Sequence, residues 1–90
     1  MANKKRKPKG EVSGIRIRFG KKMRRLRLQR EWSQMYMAVH TGLSRTFISD
    51  VENALKEPCL TSIQTVANAF DMTASQFLKG MDSGKQTKKG

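Results

Sequence analysis

Four side chains able to make directional hydrogen bonds, Arg45, Thr46, Ser49 and Asp50, stand within six residues at spacings of one and four. At those spacings they share one face of a helix whose other face carries Phe47, Ile48 and Val51. The chemistry open to such a face is recognition of polar edges. Arg45 has a planar fork that fits the two acceptors of a guanine edge in the major groove, and the same fork can instead take a phosphate. Thr46 can offer its methyl to thymine or its hydroxyl to a base or phosphate, or stay solvated in the first turn. Ser49 is small enough to let a helix sit deep in a groove, with a hydroxyl left for a phosphate or a base. A carboxylate near phosphates is repelled unless it accepts from a cytosine amino group or pairs with an arginine, so Asp50 would discriminate more than it attracts.

The elements that must hold this face are legible on either side of it. Ser33 can cap a helix from Gln34 to about His40, with Met37 and Ala38 turned inward. Gly42 can take the left-handed conformation that turns the chain, and Ser44 caps a helix from Arg45 to about Asn53. Two short helices joined by Thr41-Gly42-Leu43-Ser44 make the corner of a helix-turn-helix. Gln34 can then place its amide and the free N–H groups of its helix on one phosphate. Ser44, Asn53 and Lys56 are further phosphate-binding candidates, Lys56 being also an ordinary solvated lysine.

Helical periodicity extends beyond the corner. A first helix runs from about Ile15 to Arg30, with Phe19, Met23 and Leu26 on its apolar stripe. Pro58 fixes a turn before a fourth helix, about Leu60 to Phe70, with Ile63, Val66, Ala67 and Phe70 inward. Thr73 caps a short fifth helix holding Phe77 and Leu78, and Gly80 ends it. The expected architecture is all-α: a compact five-helix bundle over residues 15–80, between a basic disordered tail at 1–14 and a flexible basic tail at 81–90. Trp32 reads as a packing residue between the first two helices.

Ninety residues allow one small domain that buries roughly 60–65% of its unfolded surface, which leaves little room for an enzyme cleft. No carboxylate pair, nucleophile with a base, or phosphate-binding glycine loop is present, so no catalysis and no cofactor are expected. Cys59 and His40, one of each, are too few for a structural zinc site, and Cys59 reads as a reduced residue at the start of the fourth helix. No apolar run is long enough to span a bilayer and the Lys-rich start lacks a signal-peptide core, so a cytoplasmic protein is expected.

The net charge of +12 is unevenly spread. Residues 1 to 14 carry five basic and one acidic side chain, residues 15 to 31 eight and one, residues 32 to 78 two and four, and residues 79 to 90 four and one. The positive charge therefore lies in the two tails and the first helix, where a polyanion can lie across it.

Gln34, Met37-Ala38, Gly42-Leu43-Ser44, Ile48, Val51-Glu52, Pro58, Ala67 and Phe77-Leu78 together resemble the phage-repressor (Cro/C1, lambda-repressor-like) type of helix-turn-helix domain. Within that group, Arg45-Thr46-Phe47-Ile48-Ser49 is similar to the start of the recognition helix in the stand-alone controllers of restriction-modification operons. The resemblance implies a structural ion pair between Arg27 and Glu52, and a phosphate contact from Gln34. It also implies a homodimer on a roughly palindromic operator, with Met72, Phe77 and Leu78 as candidate dimer contacts that the core needs as well. Ala54 and Asp71 stand where similar domains commonly have glycine, which would leave both residues in a left-handed conformation and puts Asn53's phosphate contact in question.

These features lead to the expectation of a sequence-specific, double-stranded-DNA-binding transcriptional regulator, a repressor or autoregulator, in a bacterial or phage-infected cytosol. Two alternatives come from other classes. One is the antitoxin of a toxin-antitoxin pair, which would bind a toxin protein and repress its operon. The other is an RNA-binding or bridging factor using the basic tails, which bind any nucleic acid by counterion release. The run Lys4 to Lys9 also resembles a nuclear-localisation signal, or an arm for the minor groove.

Overall fold

The computed structural model describes residues 14–81, so the readings of 1–13 and 82–90 as tails lie outside the described residues. Five α-helices follow one another: α1 (Gly14–Gln29), α2 (Gln34–Thr41), α3 (Arg45–Glu52), α4 (Leu60–Ala69) and α5 (Ala74–Leu78). None of them is long and apolar enough to cross a membrane.

Capping chemistry explains where the helices begin. Ser33 Oγ accepts from the Tyr36 N–H at 2.9 Å, Ser44 Oγ from the Phe47 N–H at 3.0 Å, and Thr73 forms a reciprocal capping box with Gln76. Cys59 starts α4 without a side-chain cap.

The helix ends are more unusual. Gly42, at φ 80°, closes α2 by donating its N–H to the Ala38 carbonyl, which is the simple left-handed cap. After α1, α3 and α4 the left-handed residue is Glu31, Ala54 or Asp71, at φ 58°, 60° and 62°. Each belongs to a Schellman pair of bonds: Trp32 to Arg27 and Glu31 to Leu28, Leu55 to Asp50 and Ala54 to Val51, Met72 to Ala67 and Asp71 to Asn68, N–H to carbonyl throughout. Glycine is the residue that takes this conformation without penalty. An L-residue is disfavoured there by about 1–2 kcal/mol, partly offset by the freedom glycine adds to the unfolded chain. Ala54→Gly should therefore stabilise the domain by roughly 0.5–1 kcal/mol, raising its melting temperature by a few degrees. A lowered melting point in thermal circular dichroism would show that Ala54 carries no strain.

The core gathers Phe19, Met23 and Leu26 of α1, Met37 and Ala38 of α2, Ile48 and Val51 of α3, Val66 and Ala67 of α4 with Phe70 behind it, and Phe77 of α5. Trp32 stacks on Phe70 at 5.3 Å between ring centroids, and Phe77 lies 4.8 Å from Phe19. Phe77 is 0% exposed, so it is not available to a second copy; among the dimer candidates, Met72 and Leu78 are only partly buried. Met81 lies beyond the boundary read at residue 80. It is buried against the core, with its N–H bonded to the Leu78 carbonyl. Apolar burial of this kind, at about 25 cal/mol per Å², is what holds five short helices together.

Candidate nucleic-acid interface

Helix α3 is positioned from behind by a buried polar cluster. Arg27, near the end of α1, holds the Glu52 carboxylate with two of its three guanidinium nitrogens: Nε to Oε2 at 2.7 Å and Nη2 to Oε1 at 3.0 Å. Its remaining arm donates to the Trp32 carbonyl at 2.8 Å. Gln34, the first residue of α2, donates its amide to Glu52 Oε1 at 3.1 Å. One carboxylate at the end of α3 is thus tied to α2, the other helix of the corner, and to α1. A two-pronged guanidinium–carboxylate pair fixes orientation as well as distance.

Gly20 completes the arrangement. A Cβ at this position would lie 2.3 Å from the Val51 carbonyl oxygen and 2.8 Å from that of Glu52, so α1 rests directly on the last turn of α3. Sequence reasoning passed over this residue, although a glycine inside a helical pattern signals close packing.

With Ile48, Val51 and Glu52 buried, the opposite face of α3 carries Arg45 and Thr46, both exposed, and Ser49 and Asp50, half-buried. Asn53 follows at the end of the helix, exposed, its amide donating to the Ser49 carbonyl at 2.9 Å. The structure thus brings Arg45, Thr46, Ser49, Asp50 and Asn53 onto one surface. Lys56 lies to the side, its ammonium 5.9 Å from the centre of the Phe47 ring.

The phosphate candidates at the helix starts have partly committed side chains. Ser44 accepts from Phe47 and keeps its O–H as a donor. One hydrogen of the Gln34 amide goes to Glu52, and the other is left. By helix geometry, the N–H groups of Gln34, Met35, Arg45 and Thr46 have no acceptor within their own helices. Cys59, exposed at the start of α4, has its thiol pKa lowered to about 6 by hydrogen bonds from the Ser62 and Thr61 hydroxyls. It lies six residues after Asn53 in the chain, and no hydrogen bond ties it to the α3 face among the described residues.

Comparison with known proteins agrees with this geometry. A family model described as helix-turn-helix matches residues 23–77. The control protein C.BamHI of Bacillus amyloliquefaciens is 33% identical over 68 residues, covering 74% of this chain and 84% of that protein. The control protein C.MunI of a Mycoplasma species is 28% identical over 72 residues, covering 79% and 97%. Among solved structures, the restriction-modification controller protein C.AhdI from Aeromonas hydrophila superposes with a TM-score of 0.65 at 29% identity, over 69% of this chain and 94% of that one.

Proposed function

The chain belongs to the Cro/C1-type helix-turn-helix family of DNA-binding transcription regulators, and from that premise we propose that it reads a specific duplex sequence in the major groove with the outer face of α3. It acts as a homodimer that occupies promoter DNA, its own among them. The observation that carries this reading is the exposed Arg45 and Thr46 on a helix pinned from behind through Glu52. A side chain can discriminate bases only if its backbone is held still relative to the groups that grip the phosphates. Gln34 supplies that link, since it opens α2 and bonds Glu52. Its second amide hydrogen, the Ser44 hydroxyl and the free N–H groups above them face phosphates on one flank. Asn53 and Lys56 serve the other.

Arg45 takes a guanine by its two acceptors, with Thr46 and Ser49 beside it. Asp50 accepts from a cytosine amino group and rejects other bases at its position. One such helix covers only a few base pairs, too little for selectivity, so two copies are required. A shallow groove of about 130 Å³, lined by apolar Ile15, Phe19, Pro58, Ile63 and Leu78 and by Arg16 and Glu57, supports a second copy at that face, with Leu78 among the contacts. The relatives named as control proteins support a regulatory role.

Arg45→Ala tests the assignment. Binding to the DNA upstream of its own coding sequence and to scrambled duplex is measured across a salt series. The variant should lose about 1–3 kcal/mol of discrimination, a 5- to 150-fold drop in preference, and keep a similar salt slope. Equal loss on both duplexes, with a slope shallower by about one, would make Arg45 a phosphate contact.

A further inference from the structure

A concentration of positive charge lies away from α3, whose own surroundings are mildly acidic. Among the described residues, Arg18, Lys21, Lys22 and Arg25 of α1 and Lys79 after α5 line an open groove of about 350 Å³, together with Gly80 and Met81. Two of these cations are held in place by neutral acceptors: Arg18 Nε donates to the Met81 carbonyl, and Lys22 Nζ to the Phe77 carbonyl at 2.9 Å. Carbonyls anchor the side chains without cancelling their charge.

The groove faces away from the reading helix. At 100° per residue, Arg18, Lys22 and Arg25 stand roughly 140–160° around α1 from Gly20, the residue that touches α3, and Lys21 stands at the groove's near side, about 100° away. A duplex seated on α3 leaves the groove open. From Arg18 to Arg25 the helix advances about 10 Å, close to the rise of three phosphates along one strand. No aromatic side chain lines the groove among the described residues, so it has nothing to stack a base on and suits a phosphate backbone.

We propose that this groove binds the backbone of a second DNA duplex, without regard to its sequence, while α3 holds the first. The protein then joins two DNA segments, and one dimer offers two such grooves. Duplex DNA is the occupant because it is the polyanion at high local concentration wherever the first site is filled.

The test uses the full chain. Beads carrying the upstream duplex are saturated with protein, and capture of a labelled random 30-base-pair duplex is measured. Wild type is compared with the triple variant Lys21→Gln, Arg25→Gln, Lys79→Gln, whose three side chains are all exposed. The expected result is capture by wild type that falls on the order of tenfold or more in the variant, while occupancy of the upstream duplex stays within a few-fold. Capture that persists in the variant overturns the proposal and assigns bridging to other basic segments. Saturated beads that capture nothing overturn it too. If the upstream duplex is not bound at all, the proposed reading of α3 fails instead, and direct binding of the random duplex judges the groove: equal affinity of wild type and variant rejects it. A labelled RNA duplex captured in preference to DNA would overturn the choice of occupant.

Discussion

Arg27→Ala is expected to destabilise the domain by about 3–5 kcal/mol, a large share of the 5–15 kcal/mol that holds a domain of this kind together. The magnitude comes from what is left behind. The Glu52 side chain is 1% exposed and takes two of its hydrogen bonds from Arg27. Without the guanidinium, its charge is buried with the Gln34 amide as its one remaining side-chain partner among the described residues. An uncompensated buried carboxylate costs far more than the net worth of the pair. The apolar double variant Arg27→Met, Glu52→Leu separates the two quantities, because replacing both members of a buried pair is often neutral or stabilising. Urea unfolding should therefore rank the single variant well below wild type and the double variant near it. A loss under 1 kcal/mol for Arg27→Ala would mean that water reaches Glu52. The double variant carries a second expectation: it should fold yet read DNA poorly, since packing replaces a two-pronged bond that fixes the angle of α3.

Gly20→Ala should cost on the order of 3 kcal/mol, although alanine is the better helix former by about 1 kcal/mol. The two effects oppose each other, and distance decides which wins. The new methyl would meet backbone oxygens at 2.3 and 2.8 Å, and neither can swing aside as a side chain would. Helix α1 must lift off the end of α3, weakening the pair between Arg27 and Glu52 with it. Gly14→Ala is the matched control. There the nearest atoms, 3.0 Å away, are the flexible end of Arg18, so only the propensity gain should remain. Similar melting temperatures for the two variants would contradict the close approach of α1 to α3.

Much of the fold could be read from local chemistry. Ser33, Ser44 and Thr73 announce their helices because a cap uses atoms two or three residues away, and Gly42 marks its turn by backbone freedom alone. The left-handed Ala54 and Asp71 were visible as missing glycines, whereas Glu31 carried no such mark. Non-local features were harder. The bond from Gln34 to Glu52 joins residues 18 apart in sequence, and nothing near either predicts it. Met81 looked like part of a tail because it follows a helix-ending glycine; the signal was that an apolar residue just past such a cap folds back on its helix. The basic groove combines α1 with the residue after α5, and only tertiary packing brings them together. The α3 face was legible as a surface of hydrogen-bonding groups, but which bases it meets depends on how deep the helix sits.

The most direct test is selection of bound sequences from a pool of random duplexes, run in parallel with wild type and Arg45→Ala. Wild type should enrich a motif of two inverted half-sites about one duplex turn apart, each with a guanine that the variant no longer requires. Enrichment of no motif, of a single unrepeated half-site, or of the same guanines by both proteins would contradict a homodimer reading DNA through Arg45.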